Sequence, residues 1–185
     1  MALRGRSYFQ EEKCFFVTTS VVNHLHVFSY DRACDLLIEN IKFYQEKYKF
    51  AILGYVIMPS HFHWIISTDK EYGTISVIMR EIKKYSAWDI MDFFETQGRI
   101  DYLEIFEIAG KKGRKQKRKF WSDRFDDVVI NSKDFFFQKL TYIHNNPVKA
   151  FLVENPEDYK YSSARNYKFG DHSVIYIETD LNSRS

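Results

Sequence analysis

Gly54-Tyr55-Val56-Ile57-Met58-Pro59-Ser60-His61-Phe62-His63-Trp64-Ile65-Ile66-Ser67 decides how this chain folds. Two apolar, β-rich runs, Tyr55–Met58 and Trp64–Ile66, flank a Pro59-Ser60 turn signal, so the stretch predicts a β-hairpin. His61 and His63 open its second strand. Side chains alternate across a strand, so these two imidazoles share one face while Phe62 and Trp64 take the other. Two imidazoles side by side on a strand are a ready pair of metal ligands. His-apolar-His is a weak motif on its own and needs partners from elsewhere in the chain.

The 185 residues, 45% of them hydrophobic and 18% aromatic, suffice for one domain with a proper core. Net charge is only +2, so overall charge points to no partner. Its distribution is more telling. Lys111–Lys119 reads Lys-Lys-Gly-Arg-Lys-Gln-Lys-Arg-Lys, which leaves the remainder net acidic. The only cysteines, Cys14 and Cys34, form no metal or disulfide framework and suit a reducing compartment. No signal-peptide core and no membrane-length apolar run is present, so a soluble intracellular protein is expected.

Before the hairpin, Cys14–Val22 has strand composition, and Asp31 is a plausible N-cap for a helix over Arg32–Lys49. Asn23-His24-Leu25-His26 carries a second His-x-His at the end of that first strand. With no companion ligand to name, it reads as a loop or helix-entry feature. After the hairpin, Thr74 caps a second helix that runs as far as Phe93 and Phe94 before Gly98. Arg99–Lys119 is the loosest part, with Tyr102–Ile108 an extra strand or a helix end. The basic run following it is either a solvated loop or a phosphate-contacting arm. Phe120–Ile130 returns to strand composition. Asn131 or Ser132 caps a third helix over Lys133–Leu152, which Pro147 should kink or end. A small strand at Val174–Ile177 closes the chain.

This order, strand-helix-strand-strand-helix-strand-helix, is the βαββαβ signature of an α+β, ferredoxin-like sandwich built on an antiparallel sheet, followed by a C-terminal helix that is the candidate catalytic one. The first and third strands are central in that arrangement, which makes the His61/His63 strand an inner one. Helices cover one of its faces, and the other is open to form a site. On the third helix Tyr142 and Asn146 stand four apart and share a face, which Lys149 continues, while His144 points elsewhere. A tyrosine beside a metal held by His61, His63 and the Asn146 amide oxygen is equipped to attack a phosphodiester. The plainer alternative puts Tyr142 in the core and makes Asn146 a helix C-cap before Pro147.

Three segments together resemble the single-tyrosine HUH transposases, and among them most the REP-associated tyrosine transposases. They are Val56–Ile66, Phe120-Trp121, and Tyr142-Ile143-His144-Asn145-Asn146-Pro147-Val148-Lys149-Ala150. Pro156–Ala164 also resembles that group's C-terminal segment. The resemblance runs from the first strand to about Tyr167 and implies a single catalytic domain, set at 1–170 with a tail at 171–185, while the basic insertion at about 109–119 is a departure from it. It implies that single-stranded DNA is cut and rejoined next to a hairpin. Tyr142 matches the nucleophile that takes the 5′-phosphate, His61 and His63 match the metal pair, and Asn146 completes the metal site. The cofactor implied is Mg²⁺, or Mn²⁺, which imidazole suits better. Lys149 and the basic run (Lys111, Lys112, Arg114, Lys115, Lys117, Arg118, Lys119) are the expected DNA contacts, the run on charge alone. Such an enzyme belongs in the cytoplasm at the nucleoid. Monomer and homodimer both stay open, and no dimerisation motif is visible. A non-catalytic nucleic-acid-binding module of the same fold, or a metal phosphodiesterase acting through water, are the competing functions.

Overall fold

The Pro59-Ser60 turn joins two strands as the sequence predicts. β2, Ala51–Met58, pairs antiparallel with β3, His61–Ser67, with Val56 opposite His63 and Met58 opposite His61. This is a computed structural model, and it describes residues 13–112 and 116–181. β1, Cys14–Ser20, pairs antiparallel with β3, and β4, Asp126–Val129, pairs antiparallel with β1. The resulting four-stranded sheet has the order β2-β3-β1-β4, so the histidine strand is internal, between β2 and β1.

Each face of the sheet has its own core because the strands alternate. Val17, Phe62, Trp64 and Ile66 face α1, Asp31–Tyr48, and α2, Ile75–Thr96. Cys14, Phe16, Val56, Met58 and Ile65 face α4, Lys133–Lys149, meeting its Phe136, Leu140 and Ile143. The second face is therefore not open, as the sequence suggested. It is partly roofed by α4, and the histidines lie at that roof. Architecture and connectivity are those of an α+β, ferredoxin-like antiparallel sandwich.

Caps explain where the helices begin. Thr74 Oγ1 accepts from the Val77 amide and Ser132 Oγ from the Phe135 amide, both as expected. Asp31 is not a cap. It is the first helical residue of α1, after Tyr30, and its carboxylate binds Lys160 instead. Pro147 does not end α4 at once: the helix runs on to Lys149, although the proline leaves the Ile143 carbonyl without its amide donor. The end is a Schellman closure: the Phe151 amide donates to the Val148 carbonyl and the Leu152 amide to the Pro147 carbonyl. Phe151 takes the left-handed conformation, φ 56°, that glycine usually supplies there.

One open alternative is resolved and two other expectations are corrected. Tyr102–Ile108 belongs to α3, Ile100–Lys112, a helix that buries Leu103 and Phe106. The Phe120–Ile130 strand shrinks to β4, because Phe120 and Trp121 are spent on the core and Trp121 keeps only an isolated bridge to Val21. Val174–Ile177 is no strand. Ile175 and Ile177 are buried, and only the Glu178 amide reaches β2, at the Ile52 carbonyl.

The C-terminal segment fastens α4 to the sheet. The Ile57 amide donates to the Tyr161 carbonyl and the Ser163 amide to the Tyr55 carbonyl, so the segment runs along the free edge of β2. His144 Nε2 hydrogen-bonds Ser163 Oγ at 2.7 Å. Burial pushes the His144 imidazole down to about 4, below the ~6.5 of a free histidine. Between those values the unfolded chain holds a proton that the folded chain does not, so stability rises with pH there and is complete above it. As pH falls from about 6.5 towards 4, His144 should account for a loss on the order of 2 kcal/mol. Urea unfolding at stepped pH should show a shallower slope for His144→Gln. Equal slopes would mean that His144 titrates alike in both states.

Candidate active site

β3 presents His61 and His63 to the α4 side with their ring centroids 4.9 Å apart. His63 is 4% exposed. Its Nδ1 hydrogen-bonds Thr18 Oγ1 at 2.7 Å, a contact set by the register that places Thr18 of β1 directly opposite. Phe16 stacks on the His63 ring at 5.6 Å and 15°. The ring is thus held by one hydrogen bond and one flat contact, and Nε2 is its only free nitrogen. His61 is anchored in the same way, Nδ1 to Ser60 Oγ at 3.1 Å.

Electrostatics keep both imidazoles neutral. Burial, then His61 and Lys139, hold His63 down at about 3. Burial, then His24 and His26, lower His61. The second His-x-His, following β1 around a 3-10 turn at Val22–His24, therefore lies within electrostatic reach of the site, with its histidines exposed. Among the described residues no group of three or more His, Cys, Asp or Glu side chains is arranged to hold a metal ion. Any ion here would need a different third donor.

α4 supplies one. Tyr142 stands with its ring 5.4 Å from the His63 ring and 6.0 Å, edge-on, from Phe16. It is 41% exposed, so it is not the core aromatic that its spacing also allowed. Asn146 follows one turn later, about 6 Å along the axis. Nor is it the C-cap, which is Ala150. Among the described residues, five buried side-chain polar atoms lack a hydrogen-bond partner, and two of them are His63 Nε2 and Asn146 Nδ2. Buried polar atoms are seldom left unpaired. An amide's N and O exchange by a half-turn, so the same Asn146 side chain can offer Oδ1 in that place.

Lys139 and Lys149 flank the tyrosine, each ammonium 5.9 Å from the ring centroid, and Lys139 also lies 4.7 Å over Phe16. Lys149 was expected, whereas Lys139 was missed. Its place three residues before Tyr142 on the helix is a signal that spacing could have supplied. Thr18 and Phe16 carried no such signal, because their roles depend on strand register.

Among the described residues, the basic run does not join this group. Lys111 and Lys112 are exposed at the end of α3, and Arg114 and Lys115 lie outside the described residues. Lys117, Arg118 and Lys119 lie against α2. Arg118 is committed to Glu95 and Glu107 at 3.1 and 3.2 Å, and Lys119 to Asp123 at 2.7 Å. Lys117 is the exposed one of the three.

The fold and the pairing of a histidine strand with a tyrosine helix define a class, and comparison with known proteins gives the family. Residues 17–146 match the family model described as "Transposase IS200 like", which is most of the chain. The protein belongs to the IS200-like transposase family. Among solved structures it is similar to a REP-associated tyrosine transposase bound to a REP hairpin, 20% identical, with a TM-score of 0.64 over 100% of this chain and 99% of that one. At that identity the likeness is one of fold. A transposase structure from Deinococcus radiodurans R1 is 14% identical with a TM-score of 0.48, over 71% of this chain and 88% of that one. Comparison with curated proteins gives no match.

Proposed function

We propose that this transposase cleaves and rejoins single-stranded DNA beside a hairpin through a covalent 5′-phosphotyrosine at Tyr142. The observation that carries the proposal is the half-exposed Tyr142 ring 5.4 Å from His63, whose free nitrogen is unpaired. The hairpin-bound state of the similar solved structure supports a DNA hairpin as partner.

The residues present fit a divalent ion, Mg²⁺ or Mn²⁺. His61 Nε2, His63 Nε2 and the Asn146 amide oxygen would hold it, and the unpaired buried atoms of His63 and Asn146 support that reading. Held there, such an ion would supply Lewis-acid polarisation of the scissile phosphate. The protein's own groups do the rest. A ligating His63 Nε2 requires Nδ1–H to donate to Thr18 Oγ1, which fixes tautomer and ring angle. Lys139 and Lys149 place positive charge on both sides of the nucleophile and hold the phosphate for in-line attack. Tyr142 Oη bonds to phosphorus as the bond from phosphorus to the 3′-oxygen breaks. The phenol proton leaves to solvent at the exposed edge, and the departing 3′-oxygen takes up a proton to become a free hydroxyl. A phosphotyrosine keeps the ester bond energy, so rejoining needs no ATP. Such a protein acts at the nucleoid, and among the described residues no helix is long and apolar enough to cross a membrane.

The test is a denaturing gel of protein incubated with labelled hairpin-plus-single-strand DNA taken from the flanks of the gene. A protein–DNA adduct that needs Mn²⁺ or Mg²⁺ and is lost in His61→Ala is the expected result. Free cleaved DNA with no adduct would point to a water-using phosphodiesterase, and binding without cleavage to a non-catalytic module. Thr18→Val tests the metal site separately. Loss of the orienting bond should weaken Mn²⁺ binding about 10–100-fold by calorimetry, and unchanged affinity would remove Thr18 from the site.

A further inference from the structure

Across the sheet from Tyr142 a groove of about 710 Å³ runs between α2 and the segment Gln116–Phe125. Six cationic side chains line it, Arg80, Lys83, Lys84, Lys117, Arg118 and Lys119, against the single carboxylate of Asp123. Arg118, Lys119 and Arg80 have acidic partners, the last in Glu81. The remaining charge is concentrated in Lys83, Lys84 and Lys117. Lys83 is half-buried in the wall, donates to the Ser122 carbonyl at 2.8 Å, and is pushed down to about 8 by burial.

The groove is not merely basic. Trp88 is 54% exposed on its lining, and the Lys84 ammonium sits 4.8 Å from the Trp88 ring. Met91 and Phe125 extend the apolar surface. An exposed ring with one ammonium, that of Lys84, over its face and further cations along the same groove matches the chemistry of an unpaired nucleotide, whose base displaces the mobile Lys84 head to stack while its phosphates meet the cations. A duplex hides its base faces and would leave the ring unused.

The groove also shares a wall with the active site. The Ser122 amide donates to the Ser20 carbonyl, and Ser20 pairs with His61. Two strand spacings, roughly 10 Å, therefore separate Ser122 from the histidine pair. Its second wall is held in place from behind: the Lys119 amide donates to the Phe106 carbonyl, and Gly110 of α3 lies so close to Gln116 that an added Cβ would stand 2.5 Å from its carbonyl oxygen.

We infer that this groove binds a single-stranded stretch of DNA, stacking a base on Trp88 and taking its phosphates on Lys84 and Lys117. It is a second site, apart from the tyrosine and separate from any hairpin-stem contact. The inference rests on the proposed action on DNA but not on the cleavage chemistry, and its test is binding without metal.

The probes are a labelled oligothymidylate and a blunt hairpin with no overhang, titrated by anisotropy at several salt concentrations. Trp88→Ala should weaken oligothymidylate binding about tenfold and leave the blunt hairpin unaffected. Lys84→Ala/Lys117→Ala should flatten the salt slope for oligothymidylate by roughly 1–2. Photocrosslinking of 5-iodouracil-substituted oligonucleotide should map to the peptide containing Trp88. Unchanged oligothymidylate affinity in Trp88→Ala, or equal losses for both probes, would overturn the inference. Trp88 is outside the core, so the variant should fold. Tyr142→Phe should bind both probes like the wild type. Failure of the cleavage proposal would thus appear as a missing adduct with these affinities intact.

Discussion

Tyr142→Phe should abolish the covalent adduct entirely while leaving fold, Mn²⁺ affinity and DNA affinity as they were. The substitution removes one oxygen and keeps the ring, so the edge contact with Phe16 and the approach to His63 survive. Few readouts separate the proposed chemistry from its rivals so sharply. A nucleophile has no substitute at its position, so the loss should exceed about 10³-fold and be limited only by detection. Hydrolysis through water would persist in this variant. The measurement is the denaturing gel, with calorimetric Mn²⁺ binding and a thermal melt on the same preparation. Adduct formation at even a tenth of the wild-type level would dismiss Tyr142 as the nucleophile.

Gly54→Val tests the structure rather than the chemistry. A Cβ at Gly54 would stand 2.7 Å from Leu140 Cδ1 and 3.2 Å from Ile143 Cδ1, both on α4. That glycine, at the register irregularity in β2, lets the helix lie close on the sheet. Valine should therefore cost about 1–3 kcal/mol by overpacking and lift the helix. A nucleophile displaced by about 1 Å should slow adduct formation by about 100-fold. Ile78→Val, on the opposite face of the sheet, is the control. It should cost about 1 kcal/mol and leave the adduct rate unchanged. If Gly54→Val loses stability but reacts at the wild-type rate, helix seating does not position Tyr142.

The hairpin was legible because its signals are local. A Pro-Ser turn between β-rich runs leaves little choice of structure, and strand alternation then puts His61 and His63 on one face. The Tyr142/Asn146 stripe was legible for the same reason, helical spacing. Where local signals conflicted, packing won. Phe120 and Trp121 look like strand residues, but their bulk is more favourably placed in the core than along a sheet edge, so β4 is short. Tyr102–Ile108 carries enough β-type residues to read either way, and burial of Leu103 and Phe106 on one side settles it as helix.

The basic run shows the limit of composition. Its seven cations look alike in the sequence, yet Arg118 is tied to Glu95 and Glu107, which come near it only in the folded chain, and Lys119 to the nearby Asp123, while Lys117 is exposed. Charge was readable, its employment was not.

The sequence by itself determined the order of the four strands and of α1, α2 and α4, the histidine hairpin, the tyrosine stripe and the resemblance they carry, because each depends on residues near one another in the chain. Only the tertiary structure decided what surrounds them: Thr18 and Phe16 holding His63, Lys139 beside Tyr142, Gly54 seating α4, and a groove made from α2 and a segment some thirty residues away. Those contacts are set by strand register and helix seating, which depend on the summed packing of distant side chains rather than on any local pattern.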